Sequence, residues 1–284
     1  LRRKTILSLA VLLGAQFTLT AAAPQSRPGI GVNAAIRNDV KMKAEQDRAL
    51  RAAVLREPVH IGDLIASGRN SALQVLLRDQ TVFTIGANAR MTLDRFVYDP
   101  NRGTGSVAAS VTKGAFRFMS GNTARVPGQV SIRTPVASIG VRGTIVELLV
   151  GQEALDAIAG FPELANQLTG KADPKTATVI VLRGPGPHRS GTDRIGAIDV
   201  TADGRTIAVT TAGFVFVGGP GQPPLGPFQT SPQIETHLDF SLRTTPTAQL
   251  ARMALQRAGK PKAGPGNPIE ITELFYPLPL VGLV

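Results

Sequence analysis

Arginine offers the most chemistry in this sequence, and Arg142 sits in the most telling setting. It closes the run Arg133-Thr134-Pro135-Val136-Ala137-Ser138-Ile139-Gly140-Val141-Arg142-Gly143-Thr144. Its five-donor fork can hold a carboxylate or several backbone carbonyls at once. Gly143 beside it permits a bulge or a close backbone approach. Pro135 cannot donate a ladder hydrogen bond and suits a strand start or edge. Arg142 therefore either pins two loops together or meets an anionic partner, and Asp94 and Asp99 are candidate counter-charges. A second group, Arg183, His188, Arg189 and Arg194, surrounds Gly184-Pro185-Gly186-Pro187 and would form an anion patch if folding keeps it together.

Tests for catalysis come out empty. His60, His188 and His237 are far apart, and none has a carboxylate at metal-ligand spacing. No H-E-x-x-H pattern occurs. Cysteine is absent, which rules out thiolate metal centres, disulfides and a lipid-modified N-terminal Cys. Ser110-Val111-Thr112-Lys113 has the S-x-x-K spacing of penicillin-recognising enzymes. The run reads as a strand, however, where residues three apart point to opposite faces. Gly29-x-Gly31-x-x-Ala34 and Gly103-x-Gly105-x-x-Ala108 are spaced like relaxed dinucleotide motifs, but neither joins a strand to a helix in a βαβ unit. No catalytic residue, cofactor or metal site is assigned, and the chain reads as a binding protein rather than an enzyme.

The N-terminus sets the expected compartment. Arg2, Arg3 and Lys4 precede the uncharged apolar stretch Ile6–Ala15, and small residues follow at Ala21, Ala22 and Ala23. This is the layout of a signal peptide, cleaved after Ala22 or Ala23. A retained membrane anchor is the alternative, although Gln16, Thr18 and Thr20 interrupt the apolar length that a span requires. The expectation is a periplasmic or secreted chain, stabilised by its core alone. Three units of the formal net charge of +11 lie in the leader. In an envelope, the remainder faces anionic lipid headgroups and wall polymers rather than nucleic acid. The lack of Trp and the two Tyr also argue against base stacking.

The elements that would position these residues are mostly strands. From Val59 to Phe118 apolar residues recur with period two, broken by turn signals. Leu73, Val75 and Leu77 alternate up to an Asp79-Gln80 turn, followed by Val82–Ile85. Met91, Leu93 and Phe96 come next, then Val107–Thr112, Ala115–Met119, Val130–Arg133 and Thr144–Val150. Glycines 62, 68, 86, 105, 114 and 128 fit chain reversals. Residues 152–170 have helical spacing, split by Gly160 and Pro162. Thr178–Arg183 returns to strand, Ile198 and Val200 face Ile207 and Val209 across Asp203-Gly204, and Phe214–Val217 follows. Gly218–Pro227 reads as a linker. A helix over 246–258 is expected, with Thr245 as cap and Pro246 at its first position; it presents Leu250, Met253, Ala254 and Arg257 on one face. Lys41–Arg56 looks like a charged helix. The fold class is all-β, with short antiparallel or solenoid-like strands, short helical insertions and a C-terminal helix.

Several segments, in one order, resemble the FecR domain family, particularly its secreted alphaproteobacterial branch. They are Ile61-Gly62-Asp63-Leu64-Ile65 with Ser67-Gly68, Leu73–Ile85 around Asp79, Ile85-Gly86-Ala87-Asn88-Ala89, Leu93–Pro100, Val111–Phe118 and the Arg133–Thr144 run. Gln80 stands where the family often has glycine. The family is named for iron-citrate signalling regulators. These have a cytoplasmic sigma-factor-binding segment, a membrane helix and a periplasmic domain that contacts an outer-membrane receptor. Only about four residues precede the apolar stretch here, so the resemblance carries the periplasmic half alone. With the leader and the linkers read above, the chain divides into a signal peptide over 1–23, an N-terminal extension over 24–56, a FecR-like β domain over 57–228 (core 61–147, helical insert 152–170) and a Pro/Gly-linked tail over 229–284. The implied function is a binding or regulatory module in envelope signalling, with a possible link to iron, docking on an envelope receptor or membrane regulator. The alternative is a structural protein that holds anionic wall polymer or lipid through its basic surface.

Overall fold

Strands with alternating apolar residues need a second layer to cover their apolar face, and this chain folds into two stacked sheets that cover each other. The computed structural model describes residues 27–244 except 126, 160, 166, 168–171 and 186–195. The first strands are β1 (Gly31–Arg37), β2 (Val40–Lys43), β3 (Arg51–Ala52), β4 (Pro58–Val59), β5 (Leu64–Ser67), β6 (Ala72–Leu77), β7 (Val82–Ile85) and β8 (Arg90–Asp99). Next come β9 (Thr104–Met119), β10 (Val130–Arg133), β11 (Ser138–Arg142) and β12 (Thr144–Val150). The last are β13 (Thr178–Pro185), β14 (Ala197–Ala202), β15 (Arg205–Val209), β16 (Gly213–Val217) and β17 (Leu225–Phe228). Helices are α1 (Gln152–Ile158), α2 (Pro162–Ala165) and α3 (Pro232–Ser241).

One sheet, here the covered sheet, runs β4-β1-β6-β7-β9-β12-β13-β16-β17. The other, the bare sheet, runs β3-β2-β5-β8-β9-β10-β11-β14-β15. Every pairing is antiparallel except β9 with β10. The chain switches sheets after each strand or hairpin, so successive pairs advance along the sandwich much as turns advance along a solenoid. β9 belongs to both sheets. Its first part pairs with β8 and β10, and from Gly114 onward it pairs with β7 and β12. Gly114 has φ +93°, and a Cβ there would lie 2.4 Å from the Ala89 backbone. The second switch of this kind is Gly143 (φ +57°), between β11 in the bare sheet and β12 in the covered one.

Ile65, Leu73, Phe83, Met91, Phe116, Phe118, Ile139 and Val200 fill the space between the sheets, with Phe83 edge-on to Phe118 at 5.1 Å. The covered sheet has a second core on its outer face. There Leu149, Val179, Val181, Phe214 and Phe216 pack under Ala157 and Ile158 of α1, Leu164 of α2, and Ile234 and Leu238 of α3. Burial on both faces explains the unbroken apolar runs of β13 and β16. The bare sheet mostly alternates, interrupted by bulges in β8 and by the buried run Val107–Ala109 of β9.

Local turn chemistry follows the backbone it must serve. The β14–β15 hairpin pairs Ile198 with Val209 and Val200 with Ile207 across Asp203-Gly204, as the alternation predicts. Gln80 has φ +70°; it closes a three-residue loop whose last residue takes the left-handed position that glycine favours. Several expectations are corrected. Lys41–Arg56 is not helical: Val40 and Met42 are buried while Lys41 and Lys43 alternate outward, and β2 pairs with β5. The proline-rich stretch 218–227 is not only a linker, because Leu225–Phe228 forms β17. Pro227 is tolerated on this outermost strand, where no further strand needs its missing N–H. Within 24–56, β1 pairs with β6 and joins the sandwich. The expected strand over 59–65 is divided at Gly62 (φ +82°). The 152–170 insert does give two short helices, α1 and α2. The 246–258 segment and the leader lie outside the described residues.

α3 starts where Ser231 Oγ accepts a hydrogen bond from the Ile234 N–H at 3.4 Å, with Pro232 at its first position. His237 Nε2 on its flank lies 2.7 Å from Glu153 Oε2 of α1, and Asn88 donates to the other Glu153 oxygen at 3.0 Å. The His237 contact holds the Glu153 carboxyl below the usual carboxylate range; burial opposes this and Asn88 assists it.

Two outcomes follow from this packing. Gly114→Ala should lower unfolding stability by about 3 kcal/mol or more, because strain and a backbone clash add. Gly128→Ala, at φ +78° with open space around it, should cost about 1–2 kcal/mol; urea unfolding compares the two. Because the Glu153 carboxyl is depressed in the folded state, its contribution is complete above the unfolded value of about 4.3 and is lost as pH falls through the folded value. His237→Ala should therefore cost more stability at about pH 6 than at about pH 2, and an equal deficit at both would contradict this.

Candidate functional site

Among the described residues, no helix lies over the outer face of the bare sheet. Its register places Lys43, Leu64, Thr92, Ser110, Arg133, Ser138, Thr201 and Thr206 in one row across eight strands. Apart from Lys43, Leu64 and Arg133, these side chains are short and polar, while the neighbours along each strand, such as Met42, Ile65, Ile132, Ile139 and Val200, face the core. Lys41, Arg90, Arg95 and Arg142 stand in neighbouring rows, so basic groups are spread over the face. Asp94 and Asp199 are the acidic residues set among them. Arg133 Nη2 is 3.4 Å from Asp94 Oδ2, which also accepts from Ser110 Oγ at 2.6 Å. β15 is the last strand on this side, and Thr206 and Ala208 on it are exposed.

The Arg142 motif divides into a surface part and a structural part. Arg142 Nη2 donates to Asp199 Oδ1 on β14 at 2.9 Å, with both side chains more than a third exposed. Its counter-charge is therefore Asp199 rather than Asp94 or Asp99. Sequence separation concealed this, because β14 lies 57 residues further on. Arg142 Nε is buried and has no acceptor. Pro135 lies in the exposed β10–β11 turn rather than at a strand start. There Thr134 Oγ1 accepts from the Ala137 N–H at 3.0 Å. Gly143 turns the chain at the sheet switch, and Gly196 backs onto it so closely that a Cβ at 196 would lie 2.5 Å from the Gly143 carbonyl. Thr144 is buried; its N–H donates to Ser120 Oγ at 2.7 Å and its hydroxyl donates to the Gly184 carbonyl.

Arg183 is not a free anion-binding group. It lies on the covered sheet, where its Nε donates to Glu147 at 2.5 Å and its Nη1 to Glu235 of α3 at 2.8 Å. Arg117 Nε donates to the other Glu147 oxygen at 2.6 Å. Burial works against the charge on Arg183, but Glu147, Glu235 and Asp239 outweigh it and hold the guanidinium above its ordinary range. The buried Glu147 at the centre, missed in the sequence, could have been suspected as the lone acid within the apolar run Thr144–Val150. His188, Arg189 and Arg194, the other members of the expected anion patch, lie outside the described residues.

Among the described residues no three His, Asp or Glu gather as metal ligands, and no helix is long and apolar enough to cross a membrane. His60 caps its own turn, its N–H donating to Asp63 Oδ2 at 2.8 Å. Ser110 and Lys113 both lie on β9, and Ser110 bonds Asp94, so the S-x-x-K spacing has no helical geometry behind it.

Residues 63–159 match the model of the family described as FecR protein. No curated protein matches the chain. Two crystal structures of a protein from Parabacteroides distasonis ATCC 8503, provisionally named an anti-sigma factor, are similar to it at 15% and 14% identity, each with a TM-score of 0.40. Each alignment covers 62% of this chain and 64% of the other, so the chain spans less than two thirds of those proteins' length.

The two arginine sites should respond differently to mutation. Glu147→Ala leaves two partly buried guanidinium groups without their shared acceptor and should cost about 3–5 kcal/mol. Asp199→Ala breaks an exposed pair and should cost less than about 1 kcal/mol. Urea midpoints measure both, and a large loss at Asp199 would make Arg142 a structural pin instead of a surface group.

Proposed function

Because the chain carries a FecR domain over residues 63–159, we propose that it is a regulatory, non-enzymatic module of envelope signalling, exported to the periplasm or secreted, that docks on an envelope protein through the bare sheet. The observation that carries this reading is the contrast between the sheets. One is covered by three helices and a second apolar core. The other presents a broad face of short polar side chains and spread basic groups.

Such a face suits an acidic protein surface. Dispersed guanidinium and ammonium groups raise the rate of encounter and select against basic competitors. The exposed hydroxyls let a partner approach the sheet closely, and β15 offers an edge to which a partner strand can add. An iron-linked receptor is one such partner within the FecR reading. The alternative, adhesion to anionic wall polymer or lipid, draws on the same basic groups and differs in what is captured.

Cross-linking in the native envelope tests the proposal. The wild-type chain should capture a defined protein, and Arg133→Glu with Arg142→Glu should reduce capture at least about tenfold, corresponding to about 1.4 kcal/mol, while circular dichroism stays unchanged. Capture that survives the charge reversal would remove the bare sheet from the account. Salt-sensitive retention on peptidoglycan or anionic vesicles, without a protein partner, would favour the adhesive alternative. Recovery of the intact leader-bearing chain from the cytosol would end both.

A further inference from the structure

Among the described residues the bare sheet ends in β3 and β15, and the covered sheet in β4 and β17. All but one of these edges are blunted. β3 is two residues long, and its Arg51 is held by Glu57, Nη1 donating to Oε2 at 3.0 Å. β4 is also two residues and begins with Pro58. β17 carries Pro227, which has no N–H to offer. Short, charged or proline-bearing edges of this kind keep sheets from joining other chains. β15 is different. It runs five residues, Arg205-Thr206-Ile207-Ala208-Val209, without proline or bulge, and its one charge lies beside the turn.

The hairpin fixes which backbone groups of β15 face outward. Asp203 and Gly204 form a two-residue loop with φ +47° and +69°, so the flanking pair Ala202–Arg205 exchanges both its backbone hydrogen bonds. Parity then turns the N–H and C=O of Arg205, Ile207 and Val209 towards β14, and those of Thr206 and Ala208 away from it. Thr201 and Thr206, a pair without ladder bonds, fit this, with their hydroxyls 2.8 Å apart. Thr206 and Ala208 are exposed, and no described backbone group bonds theirs on the outer side. Towards the core, Val209 is buried while Ile207 is only partly covered.

This edge is complementary to itself. A two-fold axis beside Ile207 brings a second β15 alongside, antiparallel, as β14 already is. Thr206 then faces Ala208 of the second copy, and the outward N–H and C=O groups of both are satisfied at once. Ile207 falls opposite Ile207 of the second copy in a pair without ladder bonds, the kind whose side chains lie closest. Each covers the part of the other that the core leaves open. Arg205 falls opposite Val209, so like charges do not meet. Centring the axis on Thr206 or Ala208 instead would run the pairing past an end of the strand.

We propose that two copies of this chain pair through β15, joining their bare sheets into one continuous antiparallel sheet about a two-fold axis at Ile207. The pairing uses the edge and leaves the polar faces of both sheets accessible, so it does not rest on the docking role proposed for those faces. A partner strand that adds to β15 has to displace the second copy.

Sedimentation velocity of the full-length chain should show a monomer–dimer equilibrium that moves towards dimer as concentration rises. Ala208→Pro removes an outward N–H that no described group uses, and proline is tolerated on an edge strand. It should abolish the dimer while circular dichroism and the thermal midpoint stay close to those of the wild type. Because the chain has no cysteine, Ile207→Cys puts a single thiol at the axis and should give a disulfide-linked dimer on mild oxidation. Thr211→Cys, whose two copies would stand about 27 Å apart, should give about tenfold less. A monomer at every concentration, a dimer that survives Ala208→Pro, or equal disulfide yields from the two cysteine variants would each overturn the proposal. So would slow hydrogen exchange of the Thr206 and Ala208 amides in a monomer, which would assign the edge to another segment of the same chain.

Discussion

The sandwich depends on one close backbone contact, where β9 leaves the bare sheet at Gly114 and enters the covered one against Ala89. A sixteen-residue strand that stayed in one sheet would leave Phe116 and Phe118 without the facing layer that buries them. By changing sheets it gives β10 a parallel neighbour in one layer and gives β7 and β12 antiparallel neighbours in the other. Gly143 repeats the device one step along, between β11 and β12. The two switches keep successive strand pairs in step, so a single apolar core runs the length of the sandwich.

From that arrangement the two outer faces diverge. The covered sheet gathers apolar residues on both sides and needs helices over it. A buried acid in its middle, Glu147, is shared by Arg117 and Arg183, which lets a charged cluster sit beside a hydrophobic layer without leaving these ions unpaired. α3 is anchored to that cluster through Glu235. The bare sheet turns most of its large apolar residues inward, and its other face carries mainly short polar and basic side chains, with Leu64, Asp94 and Asp199 among them. The proposed docking role falls on this sheet because the same alternation that builds the core leaves its other face mainly polar and basic, with no described helix over it.

Much of the strand layout was legible, because period-two alternation and turn residues carry it. The Asp203-Gly204 hairpin emerged with its pairing correct. Gln80, the departure from the family's glycine, occupies a left-handed turn position and explains why glycine is usual there. What was not legible was long-range. Val107–Thr112 and Ala115–Met119 read as two strands because Gly114 looks like a turn, whereas it bends one strand between layers. Gly86 also looked like a chain reversal; its lack of a side chain instead admits the end of α3. α3 itself was missed, although Ser231, Pro232, Ile234 and Leu238 carry a helix start and an i, i+4 apolar pair. At the site, the Arg142 motif was found, but its partner Asp199 lies on a strand brought alongside only by the fold, and Arg133 became visible as a central surface group only through cross-strand register.

The most direct test of the account is hydrogen–deuterium exchange of the full chain with and without a detergent-solubilised envelope fraction. Protection should concentrate in β10, β11, β14 and β15, the strands that carry Arg133, Arg142 and the free edge, while α1 and α3 stay unchanged. Protection confined to the helices, with those strands exchanging as before, would contradict the assignment of the bare sheet as the docking face.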